Sequence, residues 1–159
     1  MRKVASFHKY NGEGWPETSY LKPFFTSPTG QEWFYEWGND SAALWLFGDD
    51  EERWPPGSHP EDVILNMTGN PEHGVTLEYR KGGGVSYMSK GDQSRLLAHV
   101  DSLHGTPMSI GLFVPFRTAW HAVQEFMETN GQLPKSIEWV KDTELPEGTF
   151  PDPEALYPV

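Results

Sequence analysis

The spacing of hydrophobic and polar positions changes several times along the chain, and each change marks an element. Val4 to Tyr10 reads as a first strand, and Ala42 to Phe47 is a short unbroken apolar run, the pattern of a strand covered on both faces. Gly48-Asp49 ends it. Val63, Leu65 and Met67 alternate with Ile64, Asn66 and Thr68, and Val75, Leu77 and Tyr79 alternate with Thr76, Glu78 and Arg80. Because side chains of a strand point alternately to its two faces, both segments are predicted as strands. Lys81-Gly82-Gly83-Gly84 turns the chain and Val85 to Ser89 returns as a hairpin partner, closed by Gly91-Asp92. The spacing then becomes helical. At about 100° per residue, Phe116, Ala119, Trp120, Val123, Phe126 and Met127 fall within an arc of about 120°, with Arg117, His121, Gln124, Glu125 and Glu128 opposite. Pro115 suits the helix start, where its missing N–H has no partner to lose, Gly131 suits the left-handed stop, and Pro134 prevents continuation. Ser136 to Val140 is extended again, sending either Ile137 and Trp139 or Glu138 and Val140 to the core according to register.

Between these elements, Asn11 to Gly30, with Pro16, Pro23 and Pro28, reads as an irregular loop pinned by Trp15, Tyr20, Phe24 and Phe25. Gln31 to Trp37 fits a strand or a short helical turn, and Ser94 to Phe113 has no dominant period. Asp49 to Pro60, broken by Pro55-Pro56-Gly57, reads as an exposed acidic loop. Strands, one helix and a closing strand predict an α+β fold: a mainly antiparallel sheet with one amphipathic helix packed on it near the C-terminus. Residues 1–141 form one domain in this reading. Residues 142–159, with Pro146, Pro151, Pro153 and Pro158, form an acidic tail held, if at all, by Phe150, Leu156 and Tyr157.

The 159 residues suit a single core, and 16 glycines with 14 prolines disfavour an all-helical bundle. Seven Trp, six Tyr and nine Phe supply the apolar area. The absence of cysteine excludes disulfides, Cys-ligated zinc, iron–sulfur clusters and thiol nucleophiles. Charge alters the picture most. The formal net charge is −11, and it is concentrated: Asp40 to Asp62 holds seven acids against Arg53, and Asp142 to Val159 holds five acids and no base. Such segments attract a basic partner and argue against direct binding to nucleic-acid phosphates. No apolar run near the start resembles a signal peptide or a membrane span, so a cytoplasmic protein is expected.

Catalytic signatures are sparse. His99, Asp101 and His104 have a metal-like composition, but neither helix nor strand geometry brings both imidazoles to one ion. His121 and Glu125, four residues apart, read as a surface pair. No Gly-x-Ser-x-Gly elbow occurs, and Gly82-Gly83-Gly84 lacks the following Lys-Ser/Thr of a phosphate loop. No cofactor, metal or catalytic residue is expected. Trp45, Trp120 and Trp139 fall on core elements, whereas Trp33, Trp37 and Trp54 are less constrained and leave open a rival reading as a carbohydrate- or ligand-binding module that stacks on them. The partner-binding candidates are Asp49, Asp50, Glu51, Glu52 and Trp54, whose mixture of aromatic and charge is common at protein interfaces.

The C-terminal third adds a resemblance. Phe113-Val114-Pro115, then Ala119, Ala122-Val123 and Phe126, then Asn130-Gly131, Pro134 and Ile137-Glu138-Trp139 resemble the closing helix–strand unit of an immunity-protein family (immunity protein family one) from bacterial polymorphic toxin systems. Gly84-Val85-Ser86-Tyr87 carries a weaker similarity. The family occurs beside deaminase-type toxins. The resemblance implies a stoichiometric, non-enzymatic inhibitor that binds a sibling toxin in the cytoplasm and covers its active site. A toxin that handles nucleic acid or nucleotides is expected to carry a basic cleft, complementary to the acidic segments here.

Overall fold

The structure, a computed structural model, describes residues 1–27, 29, 31–33, 40–51 and 57–152. One antiparallel sheet dominates it. Its strands are β1 (Arg2–Phe7), β2 (Tyr10–Glu13), β3 (Ser41–Phe47), β4 (Val63–Asn70), β5 (Gly74–Lys81), β6 (Tyr87–Ser89), β9 (Phe113–Val114) and β10 (Trp139–Lys141). They lie in the order β10-β6-β5-β4-β3-β1-β2, with β9 paired to β5 alongside. A separate hairpin is formed by β7 (His99–Asp101) and β8 (Pro107–Ser109). Among the described residues, two α-helices, α1 (Thr18–Thr26) and α2 (Phe116–Glu128), accompany the sheet.

The alternation in β4 and β5 settles which residues face the helices. Leu44, Leu65 and Leu77 of β3, β4 and β5 are fully buried in one cluster with Phe7, Phe25, Val123 and Phe126. Each such side chain contributes about 1.5–3 kcal/mol relative to exposure, so this inner face holds most of the stability. The strand α+β architecture is as expected, but helix α1 replaces the irregular loop predicted there. Pro23 lies inside α1 at the loss of one backbone bond. Packing offsets that loss: Leu21 and Phe25 are fully buried, and Phe25 stacks on Trp120 of α2 at 5.4 Å.

Trp33 corrects a second expectation. It ends a 3-10 turn, Gln31–Trp33, and is completely buried, its indole N–H donating to the Phe24 carbonyl at 2.8 Å. Gly69 of β4 makes the room, since a Cβ there would fall on the indole ring. Val4 to Tyr10 also divides. The chain turns at His8, whose φ of 53° is left-handed, and Tyr10 begins β2.

Helix α2 starts after Pro115 and ends at Glu128; the left-handed turn expected at Gly131 begins one residue earlier, at Asn130 with φ 54°, and continues through Gly131 with φ 90°, whose N–H bonds to the Phe126 carbonyl. The closing strand is shorter than Ser136 to Val140. It uses both register options in part, because Trp139 packs on the inner cluster while Val140 joins a second cluster with Met88, Leu96, Leu112 and Leu145 on the opposite face. Leu145 follows a short turn, Asp142–Glu144, and Thr149 is buried. Phe150 is 55% exposed, and Leu156 and Tyr157 lie outside the described residues.

Strand β5 changes partner along one edge: Glu78 and Tyr79 pair with β6, and Val75 and Thr76 with β9. Leu77 sits at the junction. Its N–H donates to the Ser89 hydroxyl at 2.9 Å, and that hydroxyl donates to the Leu112 carbonyl at 2.6 Å. Residues 90–112 therefore leave the sheet and return beside their point of departure. Their neck is closed by Gly91, whose N–H bonds to the Gly111 carbonyl at 2.9 Å. A Cβ on Gly91 would collide with the Phe113 carbonyl, and one on Gly111 with the Asp92 carbonyl, so both positions demand glycine.

Candidate functional site

The face of the sheet opposite the helices is built differently. One cross-strand row runs Ser6, Ala43, Asn66, Glu78 and Met88, from β1 to β6. Its middle is polar. Asn66 is exposed, and its amide donates to a Glu78 carboxylate oxygen at 3.0 Å. The β7–β8 hairpin and residues 149–151 border this row and leave a cavity of about 330 Å³ lined by Thr76, Glu78, Met108 and Phe150, among others.

Two acids of the 40–62 stretch fix the surroundings of this face and are unavailable to a partner. Asp62 is 1% exposed, and its carboxylate accepts the N–H groups of Gly48, Gly57 and His59 at 2.8, 3.0 and 3.3 Å. It thereby ties the two ends of the acidic loop together. Asp40, 3% exposed, accepts the Leu103 N–H at 2.9 Å and anchors the hairpin turn to the start of β3. A carboxylate accepting several N–H groups is a structural staple, because those donors would otherwise be buried without partners. Sequence counting could not separate these two acids from their neighbours.

The other described acids of the stretch are less buried. Asp50 is 96% exposed beside the Met1 amino group at 3.6 Å, Glu51 is exposed, and Asp49 is half-buried with a carboxylate accepting the Glu51 N–H at 3.0 Å. Glu61 pairs with Lys81 at 3.2 Å. Glu52 and Trp54, the other two partner-binding candidates, lie outside the described residues, as does Trp37. Trp33, offered as a stacking platform for the rival ligand-binding reading, is enclosed by Phe7, Phe24 and Phe25 and presents no face to a ligand.

His99 and Asp101 lie on β7 and His104 in the hairpin turn. His99 Nε2 is 3.1 Å from the Thr149 carbonyl and holds residues 149–151 against the hairpin. Among the described residues, no three His, Asp or Glu side chains are gathered as a metal set. Glu125, on the polar face of α2, accepts the N–H groups of Lys135 and Ser136 and so fixes the turn before β10. His121 lines a polar hollow of about 420 Å³ beside it.

His8 went unnoticed in the sequence. It is 6% exposed, stacked on Phe24 at 4.5 Å and edge-on to Trp33 at 5.5 Å. Burial lowers its pKa from 6.5 to about 4, with the negative charge of Asp40 opposing the shift, so the ring is neutral near pH 7. Tyr79, donating to the Gly131 carbonyl at 2.8 Å, is raised by burial and then by Tyr87. Asp92 is lowered by the Ser94 hydroxyl and amide that bond to it.

Among the described residues, no helix is long and apolar enough to cross a membrane. Comparison with curated proteins gives no match. The family described as Immunity protein Imm1 does match, over residues 31–141, a span that runs from the Trp33 turn to the end of β10 and takes in the acidic loop, the hairpin and α2. Proteins of that family confer immunity against a toxin, which indicates a non-enzymatic, toxin-binding role, and with the match covering well over half its length this chain belongs to the Imm1 immunity-protein family.

Proposed function

We propose that this protein neutralises its cognate toxin in the cytoplasm by forming a stoichiometric complex that occludes the toxin's active site, and that the toxin is of the deaminase type. The observation that carries the reading is the family match over residues 31–141. The charge distribution supports a toxin with a basic nucleic-acid- or nucleotide-handling cleft, since Asp50 and Glu51 are exposed, Asp49 is half-buried beside them, and Asp50 stands 3.6 Å from the Met1 amino group. Together with Glu52 and Trp54 they form the first contact, and residues 142–159 add a second acidic segment beyond the 1–141 domain. Opposite charge speeds encounter, which suits an inhibitor that must act before its target does.

The test is reconstitution with the toxin encoded beside this gene. The two chains are expected to co-purify at one to one, and ammonia release from a cytosine- or adenine-containing substrate is expected to stop at equimolar inhibitor. Failure to form a complex overturns the whole reading. A complex whose toxin shows another chemistry overturns the deaminase assignment alone, and a complex that leaves turnover intact overturns occlusion.

A further inference from the structure

We infer that the cavity between the outer sheet face, the β7–β8 hairpin and residues 149–151 is the anchoring pocket of the toxin interface, and that it receives an apolar side chain lying beside a Lys or Arg on a protruding toxin segment. The inference rests on the immunity reading above and adds the place and chemistry of the contact.

Three observations converge on it. The pocket of about 330 Å³ is walled by Met108 of β8, Phe150 and Met88, so its lining is mainly apolar although it opens on a polar sheet. Phe150 is 55% exposed there, and a large aromatic half out of water at a pocket mouth is an anchor for a partner rather than for the core. The second observation is an adjoining hollow of about 360 Å³, which shares Glu78, Met88 and Phe150 with the first and adds Asp142 and Thr143. The two cavities thus adjoin along Glu78, Met88 and Phe150, and together they make up the groove.

The third observation is charge. Among the described residues lining either cavity, the charged ones are Glu78 and Asp142, and none is basic. No described Lys, Arg or His forms an ion pair with either acid. Glu78 uses one oxygen for Asn66 and lines both cavities. An apolar slot with two uncompensated carboxylates selects a segment that is apolar at its tip and cationic at its flank, because the cation recovers in the complex the solvation that the carboxylates lose. An uncharged apolar segment would bury Glu78 without compensation, and an acidic one would be repelled.

The experiment measures complex formation with the adjacent-gene toxin by surface-immobilised kinetics, using Phe150→Ala, Met108→Thr and Glu78→Gln in the full chain. Gln at 78 keeps an acceptor for Asn66 and removes only the charge. Each variant is expected to melt with the wild type yet dissociate at least ten-fold faster, and E78Q is expected to flatten the salt dependence of affinity. Amide hydrogen exchange on the wild-type complex is expected to show protection in segments 106–108 and 149–151, read at the Thr106, Met108, Thr149 and Phe150 amides. If wild-type binding is tight but all three variants match it and those segments gain no protection, the groove is not the interface and the immunity reading survives. If the wild-type chain does not bind the toxin at all, both fall.

Discussion

The two faces of the sheet are made from the same strands and have opposite economies of surface. The inner face presents Leu44, Leu65, Leu77 and their neighbours to α1 and α2, with Phe7, Phe25 and Trp33 completely out of water. The outer face carries a small cluster around Met88 at one end, a polar row through Asn66 and Glu78, and a groove edged by a half-exposed Phe150. Adjacent residues on one strand therefore serve different ends: Leu77 holds the fold and Glu78 faces outward. Substitutions at exposed outer-face positions are expected to cost little stability, whereas inner-face substitutions act on folding first.

The largest expected effect breaks the inner face. Phe126→Ala removes a fully buried ring that packs on Trp15 and Tyr79, and is expected to cost about 3–5 kcal/mol in denaturant unfolding. Phe150→Ala, the same change on the outer side, is expected to leave the unfolding midpoint nearly unchanged. Equal losses would abolish the distinction between the faces.

Acid sharpens the comparison next. The unfolded chain protonates His8 near pH 6.5, but the folded chain resists until about pH 4, so between those values the unfolded state binds more protons and stability falls with falling pH. The contribution is complete above pH 6.5, is lost progressively down to about pH 4, and is limited to about 3 kcal/mol. The difference in stability between wild type and His8→Asn isolates it, since Asn tolerates the left-handed backbone at this position. A difference that stays constant from pH 7 to pH 4 would refute the shift.

Two acids of the same stretch make the third test. Asp62→Ala strands three N–H groups and is expected to cost about 2–3 kcal/mol in thermal or denaturant unfolding. Asp50→Ala is expected to leave the melting temperature unchanged. The smallest effect on stability belongs to the double reversal Asp50→Lys with Glu51→Lys. It is expected to slow association with the toxin at low salt while melting as the wild type does, because exposed charges act within a Debye length of about 8–10 Å and chiefly on approach. Unchanged association would remove these residues from the encounter surface.

What could be read in advance follows from the range of each signal. Period two in β4 and β5 and period 3.6 in α2 are local, and they placed the centre of the sheet and the helix that covers it. Helix α1 was hidden because Pro23 argues against it locally, while the support from Trp120 comes from a residue almost a hundred positions away. Trp33 read as a free platform because its cavity is supplied by Gly69, a strand position whose missing side chain carries no pattern. Asp40 and Asp62 counted as surface charge because nothing in composition distinguishes a carboxylate that accepts backbone N–H groups from one in water. The groove was invisible for the same reason: its walls come from segments 66–78, 88, 106–108 and 150–151, which no single period connects.

The pinched neck at Gly91 and Gly111 has a consequence for how such a protein can diversify. Departure and return points of residues 90–112 are bonded to each other and spliced to β5 through Ser89, so strand pairing with the sheet is settled at the base, while the Asp40–Leu103 bond ties the hairpin turn to the start of β3. Whatever lies beyond the base can lengthen, shorten or be exchanged without resetting strand pairing, much as an interchangeable tool fits one handle. A lineage confronting a changed toxin could then redraw the rim of its groove by replacing a single contiguous cassette, and a grafted cassette between the two glycines should carry its specificity to a new host sheet.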